Sequence, residues 1–287
     1  MKRPQLILAG SALLLVILLL VFGKFVPEKA PASSGEAPMA GQTGMAQPPA
    51  ASIDTILFYA KKELSPSQIG VLETLEKKLA NAKGNDQQMA VYHELAHYWE
   101  DSARIFEPYA FYEGESARLE NSEKSLTFAA RLFLENLQGD QNGSRRQWKA
   151  LQAKDLYERS LKINPDNDSS KVGIGACYLF GNISTNPMEG IAMIREVVQR
   201  DSNNVYAQLT LVKGSMLSGQ YDKGIERLLK VVKLQPSNTE AVLMLADLYE
   251  RTGNKKGAIE WYGKSIALIP TPEIKAAIRE RIEELKK

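Results

Sequence analysis

Residues 231–270 read VVKLQPSNTEAVLMLADLYERTGNKKGAIEWYGKSIALIP. Pro236 and Pro270 stand 34 residues apart in this stretch. Between them Leu245, Ala246 and Tyr249 share one helical arc, and Ala258 and Tyr262 share a second. Small side chains at Ala246 and Ala258 let two helices approach closely, and Tyr249 and Tyr262 are sized to fill the space between such pairs. The stretch therefore predicts a helix hairpin with an apolar stripe that it cannot bury alone. Such a unit needs neighbours of the same kind on its flanks.

The neighbours are present upstream. Thirty-four residues back, Leu211, Val212, Ser215, Gly224 and Leu228 repeat the order and end at Pro236. Before them come Ile174, Gly175, Tyr178, Gly190 and Ile194, with a few extra residues in FGNISTNP. Ala129, Ala130, Phe133, Ala153, Tyr157 and Pro165 fit if GDQNGSRR lengthens the turn between helices. Tyr92, Leu95, Ala96 and Trp99 occupy the first-helix positions of an opening unit.

This order resembles the L-G-x2-Y…A-x3-F…P pattern of the tetratricopeptide repeat (TPR) family. The resemblance implies an all-α fold, a TPR-like α-solenoid of helix hairpins. Its units are expected at 89–122, 123–167, 168–204, 205–238 and 239–272, followed by a capping helix over 273–287 with Thr271 as N-cap and Pro272 in the first turn. An additional helical hairpin is expected over 53–88, its second helix started by Ser65 and Pro66.

The N-terminus has a different character. An uncharged run of 18 residues begins at Leu6 and closes at Gly23, with Lys2 and Arg3 ahead of it. As a helix it covers ~27 Å, the thickness of a bilayer's hydrocarbon core. It is longer than the apolar part of a cleavable signal peptide, and Ala30-Pro-Ala32 lies well beyond its end. Residues 1–24 are therefore expected to form one transmembrane helix, with the N-terminus cytoplasmic and the remainder outside. Residues 25–52, rich in Pro, Ala, Gly and Ser, are expected to be a flexible linker. Anchor and repeats together resemble the membrane-anchored TPR proteins of bacterial envelopes, which implies the inner membrane, single-pass, with the TPR domain extracytoplasmic.

Charge and motifs narrow the function. With 36 Lys+Arg against 34 Asp+Glu, the chain has no electrostatic case for nucleic acid. Cys177 is the one cysteine, so no intrachain disulfide forms. No phosphate-binding loop, dinucleotide fingerprint or nucleophile elbow is found. One stretch does spell a catalytic signature. HELAH, residues 93–97, matches H-E-x-x-H of zinc peptidases, and it holds the chain's 2 histidines. On a helix, however, Tyr92, Leu95, Ala96 and Trp99 form the apolar arc and the histidines flank it. A catalytic zinc also needs a third protein ligand, and no third histidine exists.

The expected function is non-enzymatic: a protein–protein interaction or assembly scaffold, without cofactor or metal, binding a protein or peptide partner. The TPR resemblance implies a concave groove lined by first helices, here by His93, His97, Arg131, Tyr206, Leu209, Lys213, Met216, Leu243 and Asp247. Arg131 and Lys213 are too few cations for the carboxylate clamp of chaperone-binding relatives. The alternatives are a zinc-dependent metallopeptidase using His93 and His97 with Glu94 as base, and a self-associating structural envelope protein.

Overall fold

The computed structural model describes residues 49–184 and 186–287. Every regular element among the described residues is helical. They fall into two compact units, 49–210 and 211–287. The anchor expected over 1–24 and the linker up to residue 48 lie outside the described residues. Among those described, no helix is long and apolar enough to cross a membrane.

The first unit opens with α1 (Ile53–Lys62), α2 (Pro66–Asn81) and α3 (Asn85–His97). Ser52 caps α1 by accepting from the Thr55 amide. Ser65 and Gln68 form a reciprocal capping box at α2, with Pro66 in the first turn as expected. Then follow α4 (Phe106–Glu120), α5 (Glu123–Leu137), α6 (Gly143–Ile163), α7 (Asp168–Phe180) and α8 (Met188–Arg200). Ser122, Asn142 and Asn167 cap α5, α6 and α7. The helix α9 (Val205–Leu217) carries the division between the units.

Helix pairs α3/α4, α5/α6 and α7/α8 pack as hairpins. Leu95, Ala96 and Trp99 are fully buried, and Ala129, Ala130, Phe133, Ala153 and Tyr157 form the centre of the next layer. Helices α7 and α8 approach backbone to backbone. A Cβ added at Gly190 would stand 2.4 Å from the Gly175 carbonyl oxygen, so only glycine fits while the two backbones remain in contact.

Two features lie outside the repeat pattern. Helix α3 runs into a π-helical turn, Tyr98–Ala103, ended by Arg104 at a left-handed φ of 57°. The turn carries both Tyr98 and Trp99 into the core. The second feature is the lengthened turn between α5 and α6. Its Asp140 is buried and accepts from Lys149 Nζ at 2.7 Å and from Arg145 at 2.6 and 2.8 Å. Lys149, 1% exposed, also reaches Glu107 of α4 at 2.8 Å and Asn136 at 2.6 Å. Removing charges from water is costly unless each is paired, and here each has a partner.

The second unit holds the remainder of α9, then α10 (Tyr221–Leu234), α11 (Thr239–Arg251), α12 (Lys255–Leu268) and α13 (Pro272–Lys286). Ala246 and Ala258 are fully buried, as the 34-residue spacing requires. A Cβ at Gly224 would meet Leu248 at 2.7 Å. The C-terminal helix α13 lays Ile274 and Ile278 over Leu243 and Ile269. Thr271 stands at its N-cap position, but the threonine side chain makes no cap hydrogen bond, contrary to expectation. Pro272 lacks an amide hydrogen, which lightens the need for one.

Candidate functional site

In the unit 49–210 the expected groove residues divide by exposure. His93 and His97, four residues apart on α3, keep side-chain exposures of 49% and 69%. His93 places one ring nitrogen 3.1 Å from the Ser116 hydroxyl and the other 3.7 Å from the Glu113 carboxylate, both on α4. His97 faces Asp101 at 3.6 Å. Arg131 on α5 is 63% exposed, with Glu135 at 3.5 Å. None of these ion pairs is short, and exposed pairs of this kind hold weakly. Tyr206 is partly exposed, and its hydroxyl is hydrogen-bonded with that of Tyr157. Burial, then the neighbouring Cys177, push the Tyr206 hydroxyl up to about 12. Leu209 is buried and offers little to a ligand.

Glu94 is not beside the imidazoles. Its carboxylate is held by Lys78 of α2 at 2.5 and 2.8 Å. The members of a zinc-peptidase constellation thus face different neighbours: His93 toward Glu113, His97 toward Asp101 and Glu94 toward Lys78. Among the described residues, no three His, Cys, Asp or Glu side chains are gathered so as to hold a metal ion. Around the π turn the surroundings are acidic. The Glu100 carboxyl is pushed up by burial, then by Asp101, and also by Glu113. Burial, then Glu100, Glu113 and Asp101, raise the Tyr109 hydroxyl above its ordinary range. Cys177 is no candidate nucleophile: it is fully buried, and burial pushes its thiol up to about 12.

In the unit 211–287, Lys213 is part-exposed and paired with Glu240 at 2.8 Å, and Met216 is part-exposed. Leu243 and Asp247 are not open. Leu243 packs beneath α13, and Asp247, 6% exposed, binds Arg251 at 2.7 Å. Burial raises the Asp247 carboxyl, against the pull of Arg251. Sequence position placed both residues on the open side of a first helix, and only tertiary packing, by α13 in the case of Leu243, reveals their burial. The exposed rings of Phe58, Tyr59 and Phe128 were missed at the sequence level, because a helical period marks the buried arc but does not flag an isolated apolar residue outside it.

The geometry agrees with comparisons to known proteins. The tetratricopeptide repeat family model matches residues 215–280. That segment carries the tetratricopeptide repeat pattern. A tetratricopeptide repeat protein from Parabacteroides merdae covers 82% of the chain and 85% of its own length at 15% identity, with a TM-score of 0.52, which establishes the fold. YrrB, described as a TPR protein with an unusual peptide-binding site, covers 72% of the chain and 97% of its own length at 14% identity and TM-score 0.42. A curated relative, BBSome complex member BBS4 of Bos taurus, is 23% identical over 215 residues, 75% of this chain. The alignment spans 37% of the length of that relative.

Proposed function

We propose that this TPR protein is a non-enzymatic binding scaffold that holds a protein or peptide partner along its first-helix face. The observation that carries the reading is the state of His93, His97 and Arg131. They stand exposed on consecutive first helices, in ion pairs of 3.5–3.7 Å that an incoming chain can replace, while Leu95, Ala96, Ala130 and Leu134 beside them are buried. The Bos taurus relative's membership of a protein complex supports a protein partner.

In this reading the apolar run closing at Gly23 tethers the repeats to a bacterial inner membrane, on the extracytoplasmic side. The linker keeps the solenoid within a shell near the bilayer and raises its effective concentration for partners there. Self-association of the envelope-protein kind is the competing use of the same surfaces.

The test is photo-crosslinking in membranes, with a photoreactive residue at His97 or Arg131 and, for comparison, at Leu151 or Glu158 on α6. Partner adducts are expected at the first two positions and not at the α6 positions. Adducts confined to α6 would sink the reading, and adducts to a second copy of the chain would turn it into self-association.

A further inference from the structure

A patch on α1 is left over from the packing and from the proposed groove. Ile56 and Ala60 are buried beneath the helix, while Phe58 and Tyr59 point outward, 56% and 60% exposed. Their rings stack edge-on, with centroids 5.4 Å apart at 75°. Lys62 lies one turn further on, with its ammonium 4.1 Å from the Phe58 centroid and 5.4 Å from that of Tyr59. Thr55 completes the exposed stripe on the N-terminal side. Two exposed aromatic rings side by side, with a cation over them, contribute nothing to the core.

The position of the patch on the chain indicates its occupant. Ala51 is fixed to the body by its amide, which donates to the Ser144 carbonyl at 3.0 Å, and Ala50 and Ala51 pack against the core. The described chain thus meets the body just before α1. Phe58 and Tyr59 sit only ~9 Å along the helix from that point. Upstream, 26 residues separate Gly23 from Ala50, and a linker of that length, flexible as the membrane-anchored reading expects, would have a root-mean-square reach of ~30 Å. Aromatic rings and lysine are the residues that settle at the boundary between lipid headgroups and acyl chains, with the ring in the apolar layer and the ammonium at the phosphates.

We infer that the Phe58–Tyr59–Lys62 face of α1 seats on the lipid headgroup layer, docking the body of the protein against the bilayer in which its N-terminus is anchored. The inference rests on the membrane-anchored reading above. Docking would fix the side of the first unit that faces the membrane, beyond what a tether alone does.

The experiment uses the full chain in phosphatidylcholine–phosphatidylglycerol vesicles. A cysteine is placed at Thr55 and labelled with an environment-sensitive fluorophore, leaving both rings native. Cys177 stays unlabelled because it is fully buried. Lipids carrying a headgroup nitroxide should quench the Thr55 label strongly, and a label at Phe128 weakly. Adding Phe58→Ser with Tyr59→Ser should reduce quenching at Thr55 by about twofold or more. A chain retained on washed vesicles with an unquenched Thr55 label overturns the inference and leaves the anchor standing. A chain that washes off the vesicles overturns both. Equal quenching at Thr55 and Phe128, or quenching that survives the double substitution, also overturns it. Shielding of the label before lipid is added assigns the patch to a second copy instead, and the inference falls.

Discussion

Gly190 is where backbone contact and helix propensity make opposite predictions. In a solvent-exposed helix, replacing glycine by alanine stabilises by about 1 kcal/mol. Here the new methyl would stand 2.4 Å from the Gly175 carbonyl oxygen and 2.8 Å from the Tyr178 Cβ, so α7 and α8 must separate. Overpacking of this kind costs roughly 1–3 kcal/mol and should win. Gly190→Ala is expected to lower the urea midpoint, whereas Gly70→Ala, with nothing within 4 Å of the added Cβ, should not. A rise in the midpoint for Gly190→Ala would show that the helices part at little cost. The need for a small residue at position 190 was legible in the repeat spacing. The strictness of that need was not, because it depends on how near Gly175 comes.

At the scale of the element, two connections decide local stability. The turn between α5 and α6 is held by Asp140. Burial pushes its carboxyl up, but hydrogen bonds from Arg145, Lys149 and the Asn142 amide outweigh this and hold it well below the usual carboxylate range. A group depressed on folding stabilises above its unfolded pKa and loses that effect as pH falls. The contribution should thus be complete above about pH 5 and fade below about pH 4, where an unfolded aspartate begins to take its proton. Asp140→Asn leaves Lys149 without that charge partner and should cost about 3 kcal/mol at pH 7. Its disadvantage relative to the wild type should shrink from pH 6 to pH 3. A gap that stays constant in urea titrations across that range would contradict the pairing.

The C-terminal element, α13, has an apolar face and an ionic edge. Ile278 is 2% exposed over Leu243 and Ile269, while Arg281, 40% exposed, meets Glu250 and Glu284. Burial should dominate over a solvated ion pair. Ile278→Ala is expected to cost about 2–4 kcal/mol and Arg281→Ala less than about 1 kcal/mol. The reverse order, read from thermal or urea unfolding, would mean that α13 is held by charge.

For the whole molecule, repeats pass stability mainly to their neighbours. Amide exchange in Ile278→Ala should therefore accelerate first in α11 to α13, leaving α5 and α6 protected. Uniform acceleration along the chain would indicate one cooperative body. The helix pairs that make this expectation possible were readable from periodicity, because apolar spacing and small residues state which faces must be buried. The sequence by itself determined the helical hairpins, the burial of Leu95, Ala96 and Trp99 beneath HELAH, and the glycines and alanines at close approaches. Tertiary structure alone decided the π turn, the buried Lys149–Asp140 pair, the covering of Leu243 by α13 and the pairing of Glu94 with Lys78. The physical reason is range. Helical period is set by residues three and four apart, whereas these outcomes depend on what a second or third element brings within a few ångströms of a side chain.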